Sequence, residues 1–143
     1  MKLSAKTRYA VRLMVNLALN YRQGPVQLNE ISAKEGISEK YLGQIVITLR
    51  SAGLVRSVRG AKGGYLLVND PSEVSLKDIV EIMEGGMDII DKFENEESGS
   101  SEMCITSHVW DKVGRAINEV LENIKLNELA HRVQEESRPM YFI

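Results

Sequence analysis

Glycines cut residues 28–68 into four short pieces whose apolar patterns cannot merge into one longer element. Residues 28–35 read as a short helix, with Leu28, Ile31 and Ala33 expected to point inward. Gly36 follows, where a left-handed cap is cheapest, and Ser38 is placed to cap a second helix running to about Ala52. Tyr41, Leu42, Ile45, Val46 and Leu49 form the apolar ladder of that helix, and Gly53 ends it. Residues 54–59 alternate as a strand does, residues 60–64 (GAKGG) form a glycine-rich turn, and residues 65–68 make a second strand. Helix, tight turn, helix and hairpin in this order predict a winged helix-turn-helix: a mainly α chain with a small β-hairpin wing, α+β in class.

The flanks supply further helices. Residues 4–21 carry Tyr9, Ala10, Leu13, Met14, Leu17 and Ala18 along one stripe, until Gln23-Gly24-Pro25 stops the helix. After the turn Asn69-Asp70-Pro71, Ser75 and Asp78 have capping-box spacing and open a helix to about Met83, broken by Gly85-Gly86. The polar, acidic stretch at about 94–102 is expected as a mobile loop. From about 103 to 124, Ile105, Val109, Val113, Ala116, Ile117, Val120 and Ile124 recur every three or four residues. A stripe this long and this far from the N-terminal core either pairs with its own copy as a dimerisation helix or packs within its chain. Leu126 and Leu129 extend the pattern by a last turn or two. The expected division is a DNA-binding domain over 1–70 and a helical dimerisation and sensory region over 71–143.

The overall charge of −2 conceals the asymmetry that bears on function. Residues 1–69 hold eleven Lys/Arg against three Asp/Glu, net +8; residues 70–143 hold seven against seventeen, net −10. The basic half can neutralise phosphates and release counterions, and the acidic half should face away from them. A single cysteine, Cys104, precludes an internal disulfide framework and suits a reducing compartment. No apolar run is long enough to span a bilayer, and no secretory leader is read at the start, so a cytoplasmic, membrane-free protein is expected. His108 and His131 have no metal-ligand partner at useful spacing, and no nucleophile elbow, phosphate loop or dinucleotide fingerprint occurs. An enzyme is therefore not expected. A protein-interaction module without DNA would explain the long helix but not the basic N-terminal half.

The stretch 38–65, SEKYLGQIVITLRSAGLVRSVRGAKGGY, resembles the signature of the IscR/NsrR/CymR family of regulators. The opening Lys6-Thr7-Arg8-Tyr9-Ala10 and the later Cys104-Ile105-Thr106 with Trp110 match as well, so the resemblance covers nearly the whole chain. It implies a dimeric transcription factor, usually a repressor, on dyad-symmetric operator DNA. Carried over by position, Ser38, Lys40, Tyr41 and Gln44 would serve on the recognition helix. Gln44 is the best base reader, since a side-chain amide can pair bidentately with adenine. Arg59, with Gly60 and Gly63 allowing close approach, would enter the minor groove from the wing. Lys6, Thr7, Arg8 and Lys62 would contact phosphates. Tyr41 would serve equally as a core residue, and Arg8 as a solvated charge. One departure is Gly43, where the family usually has Glu in YLEQ. Losing a carboxylate that can accept from cytosine should alter site preference.

Several family members sense through an iron–sulfur cluster held by C-x5-C-x5-C, some with a histidine three residues on. Alignment on Cys104 and Trp110 puts these ligands at Lys92, Ser98, Cys104 and Ser107, so one thiol remains and His108 is one residue out of place. One thiolate cannot hold such a cluster, so no cofactor and no metal are expected. Cys104 is then either a small half-buried residue or a redox thiol; thiol or cluster sensing within the same family is the alternative reading. The tail Arg138-Pro139-Met140-Tyr141-Phe142-Ile143 resembles that of the cluster-free CymR branch, which represses cysteine and sulfur-assimilation genes with cysteine synthase as co-regulator. Tyr141, Phe142 and Ile143 would dock in that enzyme as the C-terminal isoleucine of serine acetyltransferase does, or fold back on their own dimer.

Overall fold

In the computed structural model, which describes residues 3–85 and 101–137, three helices come first: α1 (Ala5–Leu19), α2 (Leu28–Glu35) and α3 (Glu39–Ser51). A hairpin follows, β1 (Val55–Val58) and β2 (Gly64–Leu67), then a 3-10 turn (Pro71–Glu73). The remaining described helices are α4 (Leu76–Glu84), α5 (Ser101–Asn123) and α6 (Leu126–Glu136). This is the winged-helix arrangement that the glycine pattern implied.

The helix-turn-helix is held by local bonds that its own residues supply. Gly36 closes α2 at φ +67° and donates to the Ser32 carbonyl. The Ser32 hydroxyl reaches across the turn to the Ile37 carbonyl at 2.6 Å. Ser38 then accepts from the Tyr41 amide at 3.1 Å, an N-cap contributing about 1 kcal/mol. Leu42, Ile45, Val46 and Leu49 are all buried, so one face of α3 is committed to the core. Ala33, expected inward, is exposed, because α2 buries chiefly Ile31.

β1 and β2 pair antiparallel, with Val55 opposite Leu67 and Val58 opposite Gly64. Val26 bridges the other edge of β2, with bonds of 3.0 and 2.8 Å to Tyr65. The hairpin therefore fastens to the segment preceding α2. Pairing of Gly64 with Val58 starts the second strand one residue earlier than the alternation suggests, and Val68, whose amide still donates to the Leu54 carbonyl at 3.1 Å, lies exposed past its end.

The last helix is the largest departure from expectation. Instead of a turn or two, α6 spans 11 residues and lies against α1. Leu126 and Ala130 are buried there among Leu13, Leu17 and the rest of the core. The α5–α6 joint is clamped by two backbone bonds of 2.8 Å, Leu76 to the Ile124 carbonyl and Leu126 to the Val74 carbonyl. Ile124, assigned to the dimerisation stripe, accordingly lies past the end of α5 and is half-buried in this joint. The core also includes Val74 and Ile79, so the expected boundary at residue 70 does not coincide with a break in packing. Of the expected loop at 94–102, residues 101 and 102 are already helical, and the rest lie outside the described residues.

Candidate nucleic-acid interface

The α3 face opposite Leu42, Ile45, Val46 and Leu49 carries Lys40 and Gln44, both exposed. Burial of one side of the helix thus presents the other side outward. Ser38 is exposed at the start of α3, where unpaired amides and the helix dipole favour a phosphate. Tyr41 is half-buried: it packs against the core and meets Tyr9 edge-to-face, ring centroids 5.6 Å apart at 87°. The Arg12 guanidinium lies 5.8 Å from the Tyr9 centroid. Tyr41 therefore ties α3 to α1 and helps set the attitude of α3.

At the wing, Arg59, Gly60 and Lys62 are exposed at the hairpin tip, and Gly63 is buried in its turn. The Gly63 amide donates to the Gly60 carbonyl at 3.0 Å, and a Cβ on Gly63 would overlap the Val58 carbonyl. Gly64 has φ +153° and no room for a side chain against the Val26 carbonyl. The two glycines are thus demanded by the turn and by the Val26 contact; Gly63 shapes the wing and does not itself face a ligand. Between wing and helices runs an open groove of about 490 Å3, lined among others by Gln27, Asn29, Glu39, Arg50, Ser57 and Arg59. Gln27, Asn29, Arg50 and Ser57 were not singled out from the sequence, because only the fold brings these separate segments to one groove.

The N-terminus of α1 corrects one assignment. Lys6 is half-buried and Arg8 exposed, but Thr7 is only 1% exposed. Its hydroxyl donates to Glu84 Oε1 at 2.6 Å, and the Ser4 amide and hydroxyl donate to the same oxygen at 2.9 and 3.0 Å. Thr7 is thus consumed in joining α1 to the end of α4 and is not available to a phosphate. Glu84 supplies the negative charge that the first turn of α1 lacks. A Ser-x-x-Thr spacing signals the local cap, but nothing local reveals a carboxylate 77 residues away.

On α5, Ile105, Val109, Val113 and Val120 are exposed, Ile105 to 70%, and Ile117 is half-buried. The stripe is therefore not covered by the described residues of its own chain. The Cys104 side chain and the tail residues Tyr141, Phe142 and Ile143 lie outside the described residues. No described helix is long and apolar enough to cross a membrane.

The family model Rrf2, described as "Iron-dependent Transcriptional regulator", matches residues 3–132. The chain belongs to the Rrf2 family. It is 37% identical to the HTH-type transcriptional regulator CymR of Bacillus subtilis (strain 168), over 99% of both chains. It is 39% identical to the HTH-type transcriptional regulator IscR of Serratia proteamaculans (strain 568), over 92% of this chain and 80% of that one. The solved structure of CymR, titled the global cysteine regulator of B. subtilis, superposes with a TM-score of 0.82 at 36% identity, covering 92% of this chain and 98% of that one. The IscR structure from T. potens gives 0.80 at 37% identity, covering 99% and 94%. These relatives are regulators and not enzymes. The chain is a transcriptional regulator of the winged-helix fold, similar to CymR and IscR to the same degree.

Proposed function

We propose that this regulator works as a homodimer on two-fold-symmetric operator DNA, as a cluster-free repressor of cysteine and sulfur-metabolism genes. The observation that carries the DNA-binding part is the outward face of α3, which exposes Lys40 and Gln44, together with the exposed wing cations Arg59 and Lys62. The +8 charge of residues 1–69 gives the same half its attraction for phosphate. The uncovered apolar stripe of α5 supports pairing of two copies. Lys6, Arg8 and Lys62 are the phosphate-contact candidates, Gln44 the base reader, and Arg59 the minor-groove residue.

The donor set favours the CymR-like reading over the IscR-like one. An iron–sulfur cluster is held by about four protein ligands, mostly thiolates, with two histidines replacing two of them in Rieske sites, and the chain has one cysteine in 143 residues. The residues present do not fit a cluster, and the reading follows the similarity to CymR, the global cysteine regulator of B. subtilis. Cysteine synthase, received through Tyr141, Phe142 and Ile143, is the partner this reading suggests; deletion of Ile143 should abolish the complex, and an unchanged affinity by calorimetry would remove that partner.

The test is anaerobic purification followed by iron analysis, a visible spectrum and anisotropy titration of labelled duplexes. A colourless, iron-free protein that binds a selected dyad duplex tightly supports the proposal. Stoichiometric iron with charge-transfer bands, or no duplex binding, overturns it.

A further inference from the structure

Ile47 lies outside the core. It is 65% exposed, although it lies near the middle of α3, whose other large aliphatic residues Leu42, Ile45, Val46 and Leu49 are buried. Single exposed apolar residues are common on protein surfaces, so exposure alone says little. The position says more. At 100° per residue, Lys40, Gly43, Gln44, Ile47 and Ser51 fall on one side of the helix, and Ile47 stands near its centre, opposite the buried ladder. This is the face that carries Gln44, the proposed base reader.

We infer that Ile47 reads a thymine in the major groove by packing against its C5 methyl group. The inference rests on the DNA-binding reading above and names a further specificity residue within it. Thymine alone among the bases displays a methyl group in the major groove, and an aliphatic side chain is the matching surface. The rise from Gln44 to Ile47 is about 4.5 Å, so the thymine falls within one or two base pairs of the position Gln44 reads. Gly43 assists. A Cβ there would meet no atom of another element within 4 Å, and with no side chain at this position the α3 backbone can come closer to the groove. The Ile47 side chain then replaces water on the methyl with aliphatic contact, while Lys40 and Gln44 keep their polar partners.

The experiment is a double-mutant cycle with the full chain. A duplex is selected by the protein from a random pool, and each thymine is replaced in turn by deoxyuridine, which removes the methyl and keeps every hydrogen-bonding group. Replacement at one thymine per half-site should weaken binding by about fourfold per half-site, the worth of one buried methyl group. Ile47→Ala should lose affinity for the thymine duplex and show no further loss on deoxyuridine. Circular dichroism of the exposed-site variant checks that its fold is intact. Wild-type indifference to deoxyuridine at every thymine overturns the inference, as does an Ile47→Ala protein that keeps the full methyl sensitivity. If no duplex is selected at all, the DNA-binding reading fails first, and that outcome is distinct from selection without methyl dependence.

Discussion

Leu126→Ala is the perturbation that best probes how the DNA-binding half is built. Leu126 is 1% exposed, its amide is bonded to Val74, and it lies in the core shared by α1 and α4. Truncation of a fully buried leucine removes transfer free energy and leaves a cavity, together about 2–5 kcal/mol. For a chain of this size that lowers the melting midpoint by roughly 7–17 °C. Urea unfolding can be followed by far-UV circular dichroism, which sees every helix, and by the fluorescence of Trp110 on α5, the single tryptophan. If α6 belongs to the winged-helix core, both signals should shift to lower urea in the variant, and operator affinity should fall at temperatures near the new midpoint. The protein concentration must be held constant, since dimerisation contributes to apparent stability. A cost below about 0.5 kcal/mol, or a 1–70 fragment that retains full helicity and operator binding, would refute the claim that the C-terminal helix completes the DNA-binding unit.

Other consequences follow from the same geometry. Lys6, Arg8 and Lys62 from each protomer, if all engaged with phosphates, give a slope of log K against log salt of about −5, and Lys62→Ala should reduce its magnitude by about 2 for the dimer; a slope flatter than about −2 in a titration series contradicts the phosphate assignments. Gln44→Ala should relax preference at one base pair by about 1–3 kcal/mol, seen in competition with single-substitution duplexes, and uniform weakening across all of them argues against base reading. Asn16 is buried and donates to the Arg12 carbonyl at 2.8 Å and to Glu35 at 2.9 Å, so Asn16→Ala, which strips α2's carboxylate of its partner on α1, should cost about 1–3 kcal/mol in chemical denaturation. The Asp70 carboxyl is held below its ordinary 3.8 by the backbone N–H and then the hydroxyl of Ser72. Its contribution is complete above that value and is lost as pH falls through the folded value; the urea midpoint of Asp70→Asn should therefore change less than wild type's between about pH 5 and pH 3.

The helix-turn-helix and wing were legible because their signals are local. Gly36, Ser38 and Gly53 mark ends that backbone conformation and capping dictate within a few residues, and the period of Leu42, Ile45, Val46 and Leu49 states which face of α3 is buried. The same period determines that Lys40, Gln44 and Ile47 face outward, since an α-helix cannot bury one side without exposing the other. Three things depended on residues far apart in the chain. Glu84 reaches Ser4 and Thr7, which withdraws Thr7 from the expected phosphate contacts. Val26 fastens the wing, and the groove beside it gathers Gln27, Arg50 and Arg59 from separate elements. Leu126 and Ala130 return to α1, so a helix expected to belong to the dimerisation region closes the core of the N-terminal unit instead. Periodicity specifies that a face must be buried, but not which partner buries it. That choice is made by long-range packing and hydrogen bonding, whose free energy appears only once the whole chain has folded.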